Sequence, residues 1–183
     1  HLYGQEDQLF SNNGDGTFSD VSVESGAHFH AERVSRGACF GDYDNDGDLD
    51  ILRVGGNGDT DSSMVYRNDG NNTFTYQTGI ELTGVGYSSK GKWGDFDNDG
   101  DLDLLIIGDS GAGDVSKILR NDNAVFTELQ VEINGLMAGS ADWVDYDNDG
   151  DLDIINGGNC TGLEAPCHIY SNNESHVSTQ SVT

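Results

Sequence analysis

The chain has 183 residues, of which 34% are hydrophobic, 33 are Asp or Glu and 8 are Lys or Arg, and its formal net charge is −25. Such a surface repels phosphate groups, which argues against nucleic acids and anionic membranes as partners. No run approaches the roughly 20 apolar residues of a membrane-spanning helix. No signal peptide is visible, and a first residue His1 rather than Met is typical of a processed or truncated product.

The predicted elements are short strands. "LFSNNGDGTFSD" (9–20) predicts two strands joined by a tight turn at "NGDGTF" (13–18), since Asn and Gly accept positive φ at little cost. Each later unit reads as a strand, an acidic segment, a second strand and two further strands, rich in β-branched and aromatic residues between Gly, Asn and Asp clusters. No stretch has a sustained helical period, and "AHFH" (27–30) is expected to place His28 and His30 on one face of a strand.

Two motifs repeat in step along the chain. Acidic segments start at Asp42, Asp95 and Asp145, and a second motif recurs as "LFSNN" (9–13), "VYRND" (65–69), "ILRND" (118–122) and "IYSNN" (169–173). Four short antiparallel strands in about fifty residues are typical of a β-propeller blade. The sequence therefore predicts an all-β repeat domain over 1–183. It would contain a half blade (7–22) and three blades (about 36–82, 88–132 and 138–180), and would be either open or completed by another chain.

Each acidic segment reads D-x-D-x-D-G-x-x-D. Carboxylates at positions 1, 3, 5 and 9 can converge on one hard cation, with the backbone carbonyl of position 7 as a further ligand and its side chain in solvent. The Gly at position 6 supplies the bend. All-oxygen ligation favours Ca²⁺ over zinc or copper, with Mg²⁺ as the second choice. We predict three Ca²⁺ sites, with the residues Asp42, Asp44, Asp46, Asp48, Asp50; Asp95, Asp97, Asp99, Asp101, Asp103; and Asp145, Asp147, Asp149, Asp151, Asp153.

An EF-hand does not fit, because the Glu expected at loop position 12 is replaced by Arg53, Ile106 or Asn156 and no amphipathic helices flank the loops. The strings "GDYDNDGDLDIL" (41–52) and "LFSNNGDGTFSDVS" (9–22) instead resemble the FG-GAP/VCBS repeat family, calcium-loop β-propellers related to the integrin α-subunit head. The resemblance implies that the loop joins the first two strands of each blade, with positions 1, 3, 5, 7 and 9 binding Ca²⁺. The chain departs from the family where Val144 replaces the Gly that precedes the other loops, and in lacking the Gly-Ala-Pro element.

Two further features indicate an extracellular or cell-surface protein. Cys160 and Cys167 bracket "TGLEAP" and predict a local disulfide, whereas Cys39 is expected to be a small buried residue. Three N-glycosylation acceptor patterns occur, at Asn71, Asn159 and Asn173.

The favoured function is that of a secreted, calcium-stabilised structural, adhesion or self-assembly module without catalytic activity. The half blade and the tail "HVSTQSVT" (176–183) could complete one another between chains, which would produce a homo-oligomer or a fibre. The alternative is a carbohydrate-binding or polysaccharide-degrading enzyme module on a propeller scaffold, although no nucleophile motif such as G-x-S-x-G is present.

Overall fold

A computed structural model describes residues 4–56, 62–86, 89–136, 138–160, 163–172 and 177–181. The described chain is all-β, apart from one 3₁₀ turn, and every strand pairs antiparallel with its neighbour in sequence within its sheet. The half sheet contains β1 (Phe10–Asn12) and β2 (Phe18–Asp20); sheet 1 contains β3 (Gly37–Gly41), β4 (Asp50–Gly55), β5 (Ser62–Asn68) and β6 (Phe74–Tyr76); sheet 2 contains β7 (Lys90–Gly94), β8 (Asp103–Asp109), β9 (Asp114–Asp122) and β10 (Val125–Glu128); sheet 3 contains β11 (Ala138–Val144), β12 (Asp153–Cys160), β13 (Leu163–Asn172) and β14 (Val177–Ser181).

The predicted fold class is confirmed, with three four-stranded sheets and an N-terminal pair of strands. The strands turn where Asn and Gly take positive φ. Gly14 and Gly16 do so between β1 and β2, with φ of 80° and 90°, and Asn71 and Asn72 do so between β5 and β6, with φ of 52° and 61°. Residues 177–181, in the tail that was expected to pair with the half blade of another chain, instead pair with β13 and form the last strand of the chain's own third sheet.

The core lies between successive sheets. Strand β8 is buried on both faces because its neighbours cover it from both sides: Leu104 and Ile106 pack with sheet 1, and Leu105 and Ile107 pack with sheet 3. The half sheet covers the other face of sheet 1, where Leu9 joins a cluster of buried aromatic and aliphatic side chains. Apolar burial in this protein therefore depends on stacking neighbouring sheets.

Close contact between sheets depends on glycine. A Cβ atom at Gly41 would lie 2.7 Å from the ring of Trp93, and one at Gly94 would lie 2.5 Å from the ring of Trp143. Each Trp stands two residues before an acidic segment and packs on the preceding sheet. Val144 occupies the corresponding glycine position in sheet 3.

The expectation that "AHFH" forms a strand was wrong. Ala27–His30 forms a 3₁₀ turn after Gly26, whose φ is 126°, and Phe29 is buried in the cluster between the half sheet and sheet 1. His28 packs against two tyrosine rings, and His30 Nδ1 lies 3.5 Å from Glu6. In the described part of the chain no helix is long and apolar enough to cross a membrane.

Candidate metal centres

The three acidic segments are the loops that connect the first two strands of each four-stranded sheet: β3 to β4, β7 to β8 and β11 to β12. This is the place that the family resemblance implied. At position 6 the glycines Gly47, Gly100 and Gly150 have φ of 96°, 95° and 99°, so the predicted bend is confirmed at each.

Each loop is curled by hydrogen bonds to its own carboxylates. In the first loop the side chain of Asp42 accepts the backbone N–H groups of Asp46 at 3.1 Å and Gly47 at 3.0 Å. The carboxylate of Asp46 accepts the N–H of Asp48 at 2.9 Å. The same bonds recur in the second and third loops. The carboxylates of the acidic residues therefore hold the loop in its curled shape without any bound ligand.

The Asp at position 9 is buried and joins the loop to the third strand of its sheet. One oxygen of Asp50 accepts the N–H of Tyr43 at 3.0 Å, and the other accepts the N–H of Asn68 at 2.7 Å. Asp103 and Asp153 make the equivalent pairs of bonds. The Asn of the second sequence motif is thus a partner of the acidic loop, and the nearly constant spacing between the two motifs was the signal for this pairing.

Three carboxylates converge in each loop, with one oxygen from each residue within 4.8 Å of the others. The groups are Asp42, Asp44, Asp50; Asp95, Asp97, Asp99; and Asp145, Asp147, Asp153. Positions 1 and 3 belong to all three groups, and the third member is position 9 or position 5. The side chains of position 7 are outside the groups. These three acidic clusters could bind metal ions.

The clusters are electrostatically unfavourable without a cation. Burial raises the pKa of Asp50 to about 6 and that of Asp103 to about 7, although hydrogen bonds from backbone N–H groups oppose both shifts. Burial, and then the charge of Asp46, raises the pKa of Asp44. Asp44 Oδ1 is also buried without a hydrogen-bond partner in the described structure. An unsatisfied carboxylate oxygen in an all-oxygen cluster fits a hard cation.

Neighbouring loops are hydrogen-bonded to each other through position 7, so the expectation that these side chains lie free in solvent was wrong for two of them. Asn45 Nδ2 donates to Asp101 at 2.7 Å, and Asn98 Nδ2 donates to Asp151 at 2.8 Å. The Asn at position 4 can reach across because it has positive φ, 58° at Asn45 and 59° at Asn98. The stacking of the sheets brings the loops side by side, which the sequence of a single loop does not reveal.

The repeated sheets and acidic loops match a known protein family. The FG-GAP-like repeat profile matches residues 2–53, 54–106 and 95–155. The chain belongs to the FG-GAP-like repeat family. The first two FG-GAP matches end inside β4 and β8, so each holds the last two strands of one sheet and the first two of the next. The half sheet is accordingly the beginning of the first FG-GAP repeat.

The fold of this FG-GAP protein is similar to that of a solved lectin from Agrocybe aegerita, whose structure is described as the basis of specific recognition of non-reducing terminal N-acetylglucosamine. The TM-score is 0.62 at 22% sequence identity, and the match covers 98% of this chain and 47% of the lectin. The chain therefore spans about half the length of that structure. Comparison with curated proteins finds no match.

The remaining predicted sites lie away from the FG-GAP loops. Cys167 is an exposed free cysteine whose Sγ lies beside Gly157. The backbone of β12 pairs Cys160 with Leu163 and Asn156 with His168, so Cys160 and Cys167 lie at different points along the strand pair. The predicted local disulfide is therefore not formed in this structure. Asn71 is exposed in the turn between β5 and β6. Asn173 and the side chain of Asn159 are outside the described residues.

Proposed function

We propose that this FG-GAP protein is an extracellular, calcium-stabilised structural module that supports adhesion or assembly and has no catalytic role. The observation that carries the proposal is the repetition of one all-carboxylate cluster in three loops, with a buried and unpartnered oxygen on Asp44. One acidic turn could be an accident of composition. Three equivalent turns at the same sheet position are difficult to explain without a shared ligand.

Calcium is the ligand proposed because every donor in the clusters is a carboxylate oxygen. The carboxylates come from a loop of alternating acidic residues, which can supply the six to eight variable contacts of Ca²⁺ more readily than the strict octahedron of Mg²⁺. When bound, Ca²⁺ would neutralise part of the clustered negative charge and so relieve the repulsion within each loop.

The protein's own residues explain why such a site would be structural. The carboxylate of Asp50 is hydrogen-bonded both to the start of its loop and to β5, and Asp103 and Asp153 repeat the arrangement. The loop also connects two strands of one sheet and touches the loop of the next sheet. A ligand that orders the loop would therefore stabilise the sheet and its neighbour, and binding and folding would be coupled.

Thermal unfolding tests this proposal. At a Ca²⁺ concentration about 100 times Kd each site would contribute about 2.7 kcal/mol, and three sites would raise Tm by more than about 15 °C relative to the protein in chelator. Asp44→Asn should remove about a third of that increase. The control Glu24→Gln removes the same charge at an exposed position outside the loops and should keep the full increase. A melting curve that Ca²⁺ does not change would reject the proposal.

A second candidate function is carbohydrate binding, which the fold similarity to the Agrocybe aegerita lectin favours. N-acetylglucosamine is the first ligand to test, since that is the sugar named for the lectin. Isothermal titration of the calcium-loaded chain with N-acetylglucosamine, beside a polysaccharide turnover screen, separates a lectin and an enzyme from a purely structural module. Heat of binding without turnover would support the lectin, and turnover would contradict the non-catalytic role.

The extracellular location is supported by the exposed position of Asn71 in its acceptor pattern, because the folded surface has room there for a bulky glycan. Expression through a eukaryotic secretory route should add a glycan to this residue. Intact mass before and after glycosidase treatment, compared between the original chain and Asn71→Gln, measures it.

A further inference from the structure

Both contacts between neighbouring acidic loops are donated by the Asn at position 4. Asn45 Nδ2 lies 2.7 Å from Asp101 Oδ1 and 3.4 Å from the backbone oxygen of Gly100, although these residues are 56 and 55 positions away in sequence. Asn98 repeats the first bond, with its Nδ2 2.8 Å from Asp151 Oδ1. The first loop is thus linked to the second, and the second to the third, by the same donor and the same acceptor.

The position of the donor depends on the carboxylate cluster of its own loop. Asn45 lies between Asp44 and Asp46 in sequence. Asp44 belongs to the cluster, and its Oδ1 is buried without a hydrogen-bond partner in the described part of the chain. The N–H of Asp46 donates to Asp42, another member of the cluster. Closing the cluster around a cation would therefore also hold Asn45 in its left-handed conformation, with φ of 58°, from which the side chain reaches the next loop.

The acceptor is in turn attached to the cluster of the second loop. The N–H of Asp101 donates to Asp99 Oδ1 at 2.9 Å, and Asp99 is a member of that cluster. Asp101 Oδ2 accepts the backbone N–H of Asn123 at 2.6 Å, which ties the loop to the turn between β9 and β10. In the third loop the N–H of Asp151 donates to Asp149, a ligand predicted from the sequence. A bond from one loop therefore acts on a residue that positions a carboxylate of the next loop.

Charge alone would couple the loops in the opposite direction. The chain has a formal net charge of −25, and each bound Ca²⁺ would reduce the negative potential that attracts the next ion. Two bound cations also repel each other, although salt screens that repulsion beyond about 8 Å at physiological ionic strength. If only charge connected the loops, a second ion would bind no more tightly than the first. The sign of the coupling therefore distinguishes the hydrogen bonds from the charge.

We propose that Asn45 and Asn98 are positioning residues that couple the three loops, so that Ca²⁺ bound in one loop raises the affinity of its neighbour. The inference rests on the proposed function, since Ca²⁺ is the ligand whose binding is coupled. The coupling is reciprocal, because ordering Asp101 in the second loop favours the same bond from Asn45. We expect the affinity to rise about 5–20-fold, near the lower end of the usual range for coupled sites, because both bonds are exposed to water.

Equilibrium dialysis against Ca²⁺ buffers tests the coupling in three variants, each with one loop disabled by replacing the Asp at position 3 with Asn. Asp147→Asn leaves the first and second loops, and Asp44→Asn leaves the second and third; each of these pairs is adjacent and hydrogen-bonded. Asp97→Asn leaves the first and third loops, which the disabled loop separates. All three variants lose the same charge and retain two clusters. The adjacent pairs should bind Ca²⁺ cooperatively, whereas the separated pair should show no positive cooperativity.

Glycine substitutions then isolate the hydrogen bond. Gly accepts the positive φ of position 4 without strain, so Asn45→Gly removes the donor and keeps the turn. In the chain with Asp147→Asn, adding Asn45→Gly should abolish the cooperativity. Adding Asn98→Gly instead makes the same backbone change in an active loop but removes only the bond to the disabled third loop. This control should keep the cooperativity.

The original chain offers the same comparison without a disabled loop. Its binding curve should be steeper than that of the double variant Asn45→Gly/Asn98→Gly. Independent binding in both adjacent pairs, or cooperativity that survives Asn45→Gly, overturns the inference. If Ca²⁺ still binds to the original chain in that case, the proposed calcium function stands. A failure of the original chain to bind Ca²⁺ overturns both.

Discussion

Replacing Gly94 by Ala tests how the sheets are packed. A Cβ atom at residue 94 would lie 2.5 Å from Trp143 Cδ1 and 2.7 Å from Nε1, whereas non-bonded carbon atoms prefer about 3.5–4.0 Å. The indole would have to retreat by about 1 Å, although it stacks on buried Phe96 with the ring centroids 6.1 Å apart. The backbone of Gly94 does not have positive φ, so the cost is steric. We expect Gly94→Ala to lower the free energy of unfolding by about 1–3 kcal/mol.

Urea unfolding followed by circular dichroism, at fixed Ca²⁺, measures this cost. The control Gly79→Ala changes an exposed glycine whose added Cβ meets nothing within 4 Å, and it should alter stability by less than about 0.5 kcal/mol. Adding Trp143→Phe to Gly94→Ala should recover part of the loss because the smaller ring leaves room, with a coupling of about 0.5–3 kcal/mol. If Gly94→Ala were as stable as Gly79→Ala, the close packing of Trp143 would be refuted.

Three further changes probe other parts of the fold. Leu105→Ala empties a fully buried site between sheets and should cost about 2–5 kcal/mol in urea unfolding, whereas Leu49→Ala, at an exposed site, should cost far less. Asn121→Ala removes bonds from Nδ2 to two backbone carbonyls and should cost about 1–3 kcal/mol; an unchanged denaturation midpoint would contradict that role. Burial raises the pKa of Cys39 to about 11, so iodoacetamide should modify it in the native protein about a hundredfold more slowly than in the unfolded chain, as peptide mass mapping would show.

Much of the fold could be predicted from sequence because the repeat depends on interactions between residues that are close together in the chain. The bend at Gly47, the convergence of Asp42 and Asp44, and the turn at Asn71 and Asn72 all depend on residues within a few positions of one another. Such features follow from steric limits on φ and from the length of a carboxylate side chain, which hold wherever the loop lies in the protein.

Predictions failed where a neighbouring sheet decided the outcome. Asp101 was expected to point into solvent, but Asn45 reaches it from the loop of the adjacent sheet, 56 positions away in sequence. "AHFH" was expected to be a strand, but it forms a 3₁₀ turn whose Phe29 is buried between the half sheet and sheet 1. Local sequence contains no information about which surface will be stacked on these residues.

The sequence by itself determined the period of the repeat, the all-β character and the chemistry of the acidic loops. Each of these follows from short motifs that recur from one unit of the chain to the next. The tertiary structure decided which faces are covered. Leu105 and Ile155 occupy equivalent positions two residues after a loop Asp, yet one is buried and the other is exposed. The physical reason is that burial depends on the presence of a next sheet, which is a property of the whole stack and not of the residue.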